Sequence, residues 1–171
     1  IDGMREEGYP LKGGILFVGL MITEDGPQVL EYNVRGGDPE TQVQLMLMKN
    51  DLLPLVNASL DGSLSRRRII QRTGAAVGVY LVSGGYPAKP VTGRLINGLD
   101  KNFGPEVEIF HAGTAKDKVT GEIKTSSGRV LCVTAYGENV PDASERGYTI
   151  IDKGDLNFEG AIHRAGIGRG K

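Results

Sequence analysis

Three polar side chains alternate along one short stretch of the sequence, and together they could form a metal and phosphate site. Glu31, Asn33 and Arg35 occupy every second position of residues 28–35, a stretch rich in strand-forming residues. Because side chains in a strand alternate between its faces, all three are expected on one face, together with Val29. A carboxylate and an amide oxygen at this spacing can converge on Mg²⁺, which prefers oxygen ligands and often binds substrate phosphates. Arg35 could then hold a phosphoryl oxygen or a carboxylate in a bidentate grip.

The same spacing has a simpler explanation. A strand with one face in solvent also shows alternating polar residues, and spacing alone favours that interpretation. On either interpretation the opposite face, which carries Leu30, Tyr32 and Val34, is apolar and is expected to point to the core. The proposed chemistry therefore needs support from the surrounding sequence.

The elements around this strand are predicted from apolar runs and turn residues. A continuous apolar run over 14–23 is followed by a turn signal, so a hairpin is expected over 14–35. Asp38 and Pro39 are typical of a helix start, and this helix is expected to extend to about residue 49. Its expected buried residues are Val43, Met46 and Leu47. A second helix is expected after Asp51, with one face formed by Leu52, Leu53, Val56 and Leu60.

The string LEYNVRGGDPETQ resembles the signature of the glycinamide ribonucleotide synthetases, also called phosphoribosylamine–glycine ligases, which is E-[FY]-N-x-R-[FL]-G-D-P-E-x-Q. The matching positions are Glu31, Tyr32, Asn33, Arg35, Gly37, Asp38, Pro39, Glu40 and Gln42. The resemblance continues through GILFVGLMITEDGP before the string and through SGGYPAKPVTG, GRVLCVTAYGENV and FEGAIHRAGIG after it. The chain departs from the family pattern at Gly36, where Phe or Leu is usual. Near the end, His163 and Gly166 replace the usual Tyr and Asp.

This resemblance implies an α+β protein with two parts. Residues 1–64 would be the C-terminal part of an ATP-grasp domain, built from antiparallel strands with helices, and residues 65–171 a small mixed α/β C-terminal domain. The implied enzyme is an ATP-dependent ligase of purine biosynthesis. It joins glycine to 5-phosphoribosylamine through a glycyl phosphate, and it gives glycinamide ribonucleotide, ADP and phosphate. The implied cofactors are ATP and Mg²⁺ (or Mn²⁺).

The resemblance also assigns roles to the matched residues. Glu31 and Asn33 would be the metal ligands, and both would bind the cofactor together with Arg35. Arg35 would steady the transferred phosphoryl group, and Asp38 would shape the substrate end of the site, so these two are the candidate catalytic residues. Such a reaction needs no nucleophilic side chain, because positioning and charge stabilisation do the work.

Composition excludes several other classes of protein. The 171 residues are 39% hydrophobic and 24% charged with a net charge of −1, so no basic excess favours nucleic acid as a partner. No apolar run approaches the roughly 20 residues of a membrane helix. The single cysteine, Cys132, excludes an internal disulfide framework and fits a reducing, cytoplasmic setting as a core thiol. His111 and His163 lack metal-ligand spacing and are interpreted as structural or surface residues.

The second half of the chain is predicted to contain several strands and little helix. Strands are expected over 75–82, 107–111 and 129–135, with a last one over 158–164. A weaker helix, interrupted by Gly147, is expected over 142–152. The three arginines at 66–68 are expected to be solvated, and the predicted domain boundary lies beside them.

The sequence leaves three functional alternatives open. The first is a piece of the ligase described above, because the chain begins without Met and lacks the N-terminal part of such an enzyme. That parent could be a multifunctional protein, and the piece alone is expected to be inactive. The second is another ATP-grasp ligase or carboxylase. The third is a non-catalytic scaffold fragment, which the departures at Gly36 and Gly166 favour.

Overall fold

A two-stranded antiparallel hairpin is the main element of the first part of the chain. The computed structural model describes residues 1–169, and this part begins with helix α1 (Asp2–Glu6). Strand β1 (Phe17–Thr23) then pairs with β2 (Gly26–Asn33). The hairpin predicted over 14–35 is confirmed, although β2 ends at Asn33. Arg35 therefore lies beyond the strand, where alternation no longer fixes its side.

A β-bulge divides β2 and corrects one prediction. Glu31 pairs with Gly19, but Leu20, the next residue of β1, pairs with Val29, so Leu30 is the extra residue. Because alternation on β1 is unbroken, Val29 lies on the face opposite Glu31. The prediction that Val29 shares the face of Glu31 and Asn33 was wrong, since the bulge shifts the register by one residue.

The opposite face of β2 does not point into a core in this chain. Leu30, Tyr32 and Val34 are 63%, 65% and 73% exposed, so the prediction that they face the core was wrong. The sheet has two strands, and no further strand pairs with it among residues 1–169. A two-stranded ribbon alone cannot bury an apolar face.

Two helices follow the hairpin, and both differ in detail from prediction. Helix α2 (Glu40–Leu47) starts one residue later and ends two residues earlier than expected, and none of its residues is fully buried. Helix α3 (Leu52–Leu60) follows Asp51 as predicted, but it buries Leu55 and Ala58. Its predicted apolar face, formed by Leu52, Leu53, Val56 and Leu60, is exposed. A short 3₁₀ turn (Leu64–Arg66) ends at the first of the three arginines, and all three are exposed as predicted.

A three-stranded antiparallel sheet organises the rest of the chain. The strands of this part are β3 (Ala75–Val82), β4 (Val107–His111), β5 (Thr114–Lys116), β6 (Ile123–Thr125) and β7 (Arg129–Gly137). The strand order of the sheet is β3–β7–β4, and β5 and β6 form a separate antiparallel pair. The three long strands confirm the predicted ones, whereas the short pair was not predicted. All ladders are antiparallel, which confirms an α+β fold.

Helix α4 (Val140–Asp152) packs against β3 and β7. The Asn139 side chain caps it by accepting from the backbone N–H of Asp142 at 3.0 Å. The helix continues through Gly147, which was predicted to interrupt it. A Cβ at Gly147 would lie 3.6 Å from the Cβ of Ala135 on β7, an ordinary van der Waals contact, so the helix packs on the sheet at this position.

The core lies between this helix and the sheet. Its fully buried members include Val79, Leu131, Val133 and Tyr148. The strand predicted over 158–164 is absent: the segment is irregular and makes a single bridge, between Ile162 and Val82. Gly160, with φ of +76°, turns the chain there and prevents a continuous ladder.

The last described residues fold back onto α4 despite the departures from the family pattern. The Ser144 hydroxyl donates to the carbonyl of Ile167 at 2.9 Å, and the Ile167 N–H donates to the Tyr148 hydroxyl at 3.0 Å. Nothing lies within 4 Å of a Cβ built at Gly166, so this replacement leaves no steric mark on the packing. The Arg169 guanidinium lies 3.7 Å from the Tyr148 ring centroid.

The chain forms two compact units. The first contains residues 1–41 and 48–72, and the second contains residues 42–47 and those from 73 onward. Helix α2 is thus one continuous helix whose first two residues belong to the first unit and whose remaining residues belong to the second. The predicted boundary between residues 64 and 65 stays a prediction. Among residues 1–169, no helix is long and apolar enough to cross a membrane.

Candidate functional site

Glu31 and Asn33 lie on the same face of β2, as the alternation predicted. Their partners on β1 are Gly19 and Phe17, which are also two residues apart on one face. A Cβ built at Gly19 would lie 3.1 Å from Cγ of Glu31, so the missing side chain gives the Glu31 carboxylate its space. Sequence reasoning missed Gly19, and its signal was a glycine inside an apolar strand.

The two side chains differ in exposure. Glu31 is exposed, while Asn33 is half-buried at the end of the strand. Within residues 1–169, the Nδ2 atom of Asn33 is buried and has no hydrogen-bond partner. An unsatisfied buried N–H group costs roughly 1–3 kcal/mol, so this position favours an added acceptor.

A metal at this face would need ligands from outside the described chain. No group of three or more His, Cys, Asp or Glu that could hold a metal ion occurs within residues 1–169. Glu31 and Asn33 offer two oxygen donors of the kind that Mg²⁺ and Mn²⁺ accept. The donor set therefore fits a divalent ion that is also held by phosphate oxygens, and it does not form a closed site.

Arg35 lies in the bend after β2, outside the row of Glu31 and Asn33. It is exposed, and its Nη1 donates to the carbonyl of the next residue, Gly36, at 2.8 Å. A charged guanidinium bonded to a neutral carbonyl can exchange that acceptor for an anion, because an anion adds Coulomb attraction and can accept two hydrogen bonds. Arg35 therefore lies on the loop after the strand, two residues beyond Asn33, and its role at the site stays a prediction.

The segment between Arg35 and α2 is closely packed. Gly37 is buried, and a Cβ there would overlap the Glu40 carboxylate and lie 2.8 Å from the Phe17 ring. A Cβ at Gly36 would overlap the Thr41 hydroxyl. The position of Gly36, where the chain departs from the family pattern, therefore has no room for a side chain in this structure.

Asp38 follows this packed segment and is exposed. The Asp38–Pro39 peptide bond is cis, and α2 begins immediately after it, at Glu40. The structure thus brings Asp38 to the start of α2, within the same short loop as Arg35. Its role at the substrate end of the site stays a prediction.

The other candidate residues of the sequence are separate from this site. Cys132 is fully buried in β7, as predicted for a core thiol. His111 is exposed, with Nδ1 3.0 Å from the Thr114 hydroxyl, and His163 is half-buried with Nε2 3.7 Å from the Asp152 carboxylate. These contacts agree with structural or surface roles for both histidines.

Carboxylates with lowered pKa values also lie outside the site. A hydrogen bond from Lys124 holds the pKa of Asp117 well below its ordinary range, and one from Lys101 lowers the pKa of Asp155. Two surface pockets of the second unit, beside β4, are lined by residues such as Phe103 and Val107 and include no predicted site residue.

Comparison with protein-family models gives two matches along the chain. Residues 1–41 match the ATP-grasp (A) domain of phosphoribosylglycinamide synthetase. Residues 76–170, more than half of the chain, match the C domain of phosphoribosylglycinamide synthetase. The two matches occur in the order that the resemblance implied.

Comparison with curated proteins gives relatives named phosphoribosylamine–glycine ligase. One from Mesorhizobium japonicum is 48% identical over 153 residues, which are 90% of this chain and 35% of the relative. One from Xylella fastidiosa is 43% identical over 169 residues, which are 98% of this chain and 38% of the relative. The chain therefore spans a little over a third of the length of these relatives.

Comparison with solved structures agrees with these matches. The crystal structure of phosphoribosylamine–glycine ligase from Thermotoga maritima has a TM-score of 0.77 and 35% identity, covering 95% of this chain and 39% of that one. The biotin carboxylase domain of a Hydrogenobacter thermophilus 2-oxoglutarate carboxylase has a TM-score of 0.63 at 14% identity, which is a likeness of fold alone. The signature around Glu31, the two family matches and the relatives agree, and the chain belongs to the phosphoribosylglycinamide synthetase family.

Proposed function

We propose that this chain forms part of an ATP-dependent ligase that joins glycine to 5-phosphoribosylamine. The products would be glycinamide ribonucleotide, ADP and phosphate, formed through a glycyl phosphate. Family membership supports this proposal, because relatives that cover 90% or more of the chain are named phosphoribosylamine–glycine ligase. The proposal includes further polypeptide, since this chain spans only 35–39% of such relatives.

The single observation that carries the proposal is that Glu31 and Asn33 lie on the same face of β2, near its end. Both lie on one face, and Asn33 has a buried Nδ2 without a partner among the described residues. Asn33 thus offers an oxygen for a cation and an unsatisfied N–H donor for an anion. A metal-bound phosphate supplies both partners, whereas a solvent-facing strand would need neither.

The proposed roles follow from charge and position. Glu31 and Asn33 would hold Mg²⁺ or Mn²⁺ together with ATP phosphates, and the bound ion would neutralise charge during phosphoryl transfer. Arg35 would leave the carbonyl of Gly36 and donate to the transferred phosphoryl group. Asp38, exposed on the same loop, would shape the substrate end of the site by accepting hydrogen bonds from the substrate amine. None of these roles needs a covalent intermediate with the protein.

The test is ADP release by the full-length polypeptide that carries this chain. Glycine and phosphoribosylamine are supplied together and separately. Release that requires both, and that falls at least about 100-fold in Glu31→Ala, is expected if Glu31 stabilises charge in the transition state. Glu24→Ala, which removes an exposed acid from the turn of the same hairpin, is the matched control and should retain wild-type release. Release that ignores either substrate, or that survives in Glu31→Ala, would refute the proposal.

The remaining parts of the hypothesis are proposals of the same kind. We expect the enzyme to act in the cytoplasm and to have the missing N-terminal region of the same polypeptide as its main partner. Fusion to other activities of purine synthesis is a further possibility that the sequence raised. Neither a different ATP-grasp chemistry nor a scaffold role has a specific observation in its favour.

A further inference from the structure

One aromatic ring lies on the same face of the hairpin as the candidate metal ligands. Phe17 of β1 is directly opposite Asn33, and Gly19 is directly opposite Glu31. Side chains of directly opposite residues in an antiparallel pair share one face of the sheet. The half-buried ring of Phe17 is therefore an apolar neighbour of the Glu31–Asn33 pair.

The ring extends from Gly19 on the strand to Gly37 in the loop after β2. A Cβ built at Gly19 would lie 3.7 Å from Cε1 of Phe17, which is an ordinary van der Waals contact. On the opposite edge of the ring, Cε2 and Cδ2 would lie 2.8 Å and 2.9 Å from a Cβ built at Gly37. These two distances are too short for non-bonded carbon atoms. The ring therefore occupies the space that a side chain at Gly37 would need.

Gly37 is the point at which the loop after β2 is anchored within the first unit. It is the first buried residue after the end of the strand. Its carbonyl accepts a hydrogen bond from the N–H of Thr41 at 3.0 Å. Arg35 precedes Gly37 by two residues and Asp38 follows it directly. The aromatic ring thus contacts the middle of the loop that carries both candidate catalytic residues.

We propose that Phe17 is a positioning residue, whose ring sets the distance between the Glu31–Asn33 face and the Arg35–Asp38 loop. This role rests on the proposed function, in which the metal ligands and the loop residues act on one phosphoryl group. A displacement of about 1 Å can lower a reaction rate about 100-fold, so this distance matters for catalysis. Phe17 lies outside the matched signature, and the sequence alone assigned it no role.

Two substitutions separate positioning from simple apolar packing. Phe17→Leu keeps an apolar side chain on the strand but removes the ring edge that contacts Gly37. Phe17→Tyr keeps both edges, because the contacting atoms are Cδ and Cε atoms and the added hydroxyl is on Cζ. Val18→Ala is the matched control, since it shortens the adjacent apolar side chain on the opposite face of β1.

The first measurement is thermal unfolding of the first unit, followed by its NMR signals in the 171-residue chain. Gly37→Ala is expected to lower the melting temperature, because the added methyl group meets the ring. In the Phe17→Leu background this loss should be at least halved, since the ring edge is gone and the Glu40 carboxylate is the movable end of a flexible side chain. In the Val18→Ala background the loss should remain complete. Equal losses in all three backgrounds would overturn the proposal.

The second measurement is steady-state ADP release by the full-length polypeptide, with glycine and phosphoribosylamine both supplied. Phe17→Leu is expected to lower kcat roughly tenfold while the KM for ATP stays within about twofold, because the loop is displaced and the metal ligands are not. Phe17→Tyr should keep kcat within about twofold of wild type, and so should Val18→Ala. An unchanged kcat in Phe17→Leu, or an equal loss in Phe17→Tyr, would contradict the proposal.

The two measurements distinguish the role of Phe17 from the proposed function. If the wild-type polypeptide releases no ADP with both substrates, the proposed function fails, and the melting of the Gly37→Ala variants still decides whether the ring holds the loop. If the wild type is active and Phe17→Leu is equally active, the proposed function stands and the positioning role of Phe17 fails.

Discussion

The two units of this chain differ sharply in how they bury apolar surface. The second unit encloses a core between α4 and the three-stranded sheet, with Leu131, Val133 and Tyr148 at 0% exposure. In the first unit the buried apolar residues, among those described, are Leu55 and Ala58, at 9% and 1% exposure. Its hairpin instead exposes most of its large apolar side chains. The candidate chemistry therefore lies on the unit that buries less apolar surface.

The loop beside the candidate site is packed more tightly than the hairpin that precedes it. A two-stranded hairpin with exposed faces is only marginally stable by itself. The loop after the hairpin is nevertheless tightly packed, because Gly36 and Gly37 contact the first turn of α2. The remaining turns of α2 belong to the second unit. The loop that carries Arg35 and Asp38 thus continues into a helix most of whose residues belong to the second unit.

The largest expected effect is a loss of stability when a buried leucine of the second unit is truncated, compared with an exposed leucine of the first unit. Leu131→Ala removes a fully buried side chain from β7 and should lower the free energy of unfolding by about 2–5 kcal/mol, through lost burial and a cavity. Leu30→Ala, at a position 63% exposed, should change it by no more than about 0.5 kcal/mol. Urea unfolding followed by circular dichroism measures both. A large effect of Leu30→Ala would show that the hairpin is buried in solution, and it would contradict the difference in apolar burial between the two units.

A medium effect is expected where the first unit is locally tight. Gly37→Ala places a Cβ against the Phe17 ring and the Glu40 carboxylate, and it should destabilise the first unit by about 1–3 kcal/mol. Gly166→Ala in the second unit meets nothing within 4 Å and should stay within about 0.5 kcal/mol of wild type. Thermal melts monitored by NMR signals of each unit separate the two. If Gly37→Ala left the stability of the first unit unchanged, the loop would not be packed as described.

The smallest effect is electrostatic and concerns the β5–β6 pair of the second unit. Lys124 donates to the Asp117 carboxylate at 2.8 Å, and backbone N–H groups of Thr120 and Val119 donate to it as well. These bonds lower the pKa of Asp117 far below its ordinary value of 3.8. A lowered pKa in the folded state stabilises the protein above about pH 4, and this contribution is lost as the pH falls below that value.

Asp117→Asn should therefore flatten the loss of thermal stability between about pH 4 and pH 2. The difference from wild type should shrink in 1 M NaCl, which screens exposed charges. Thermal unfolding across this pH range measures the effect. An unchanged pH profile would show that the carboxylate is not held by Lys124 in solution.

The sequence by itself determined the types of the main elements and the identity of the candidate site residues. Apolar runs bounded by glycines predicted the hairpin, β3, β4 and β7, because strand-forming runs and turn residues act locally. The signature around Glu31 and Asn33 identified the family, and their alternation correctly placed both on one face of β2. These features depend on residue type and spacing, which are visible in one dimension.

The tertiary structure alone decided which faces are buried and which residues act together. A bulge moved Val29 away from Glu31, and no periodicity in the sequence marks it. The side chains of α3 that are buried are not those of its most apolar face, because burial depends on what packs nearby. Gln42 joins α2 to Tyr80, 38 residues away along the chain. Contacts between distant segments follow from packing, and packing is settled only when the whole chain has folded.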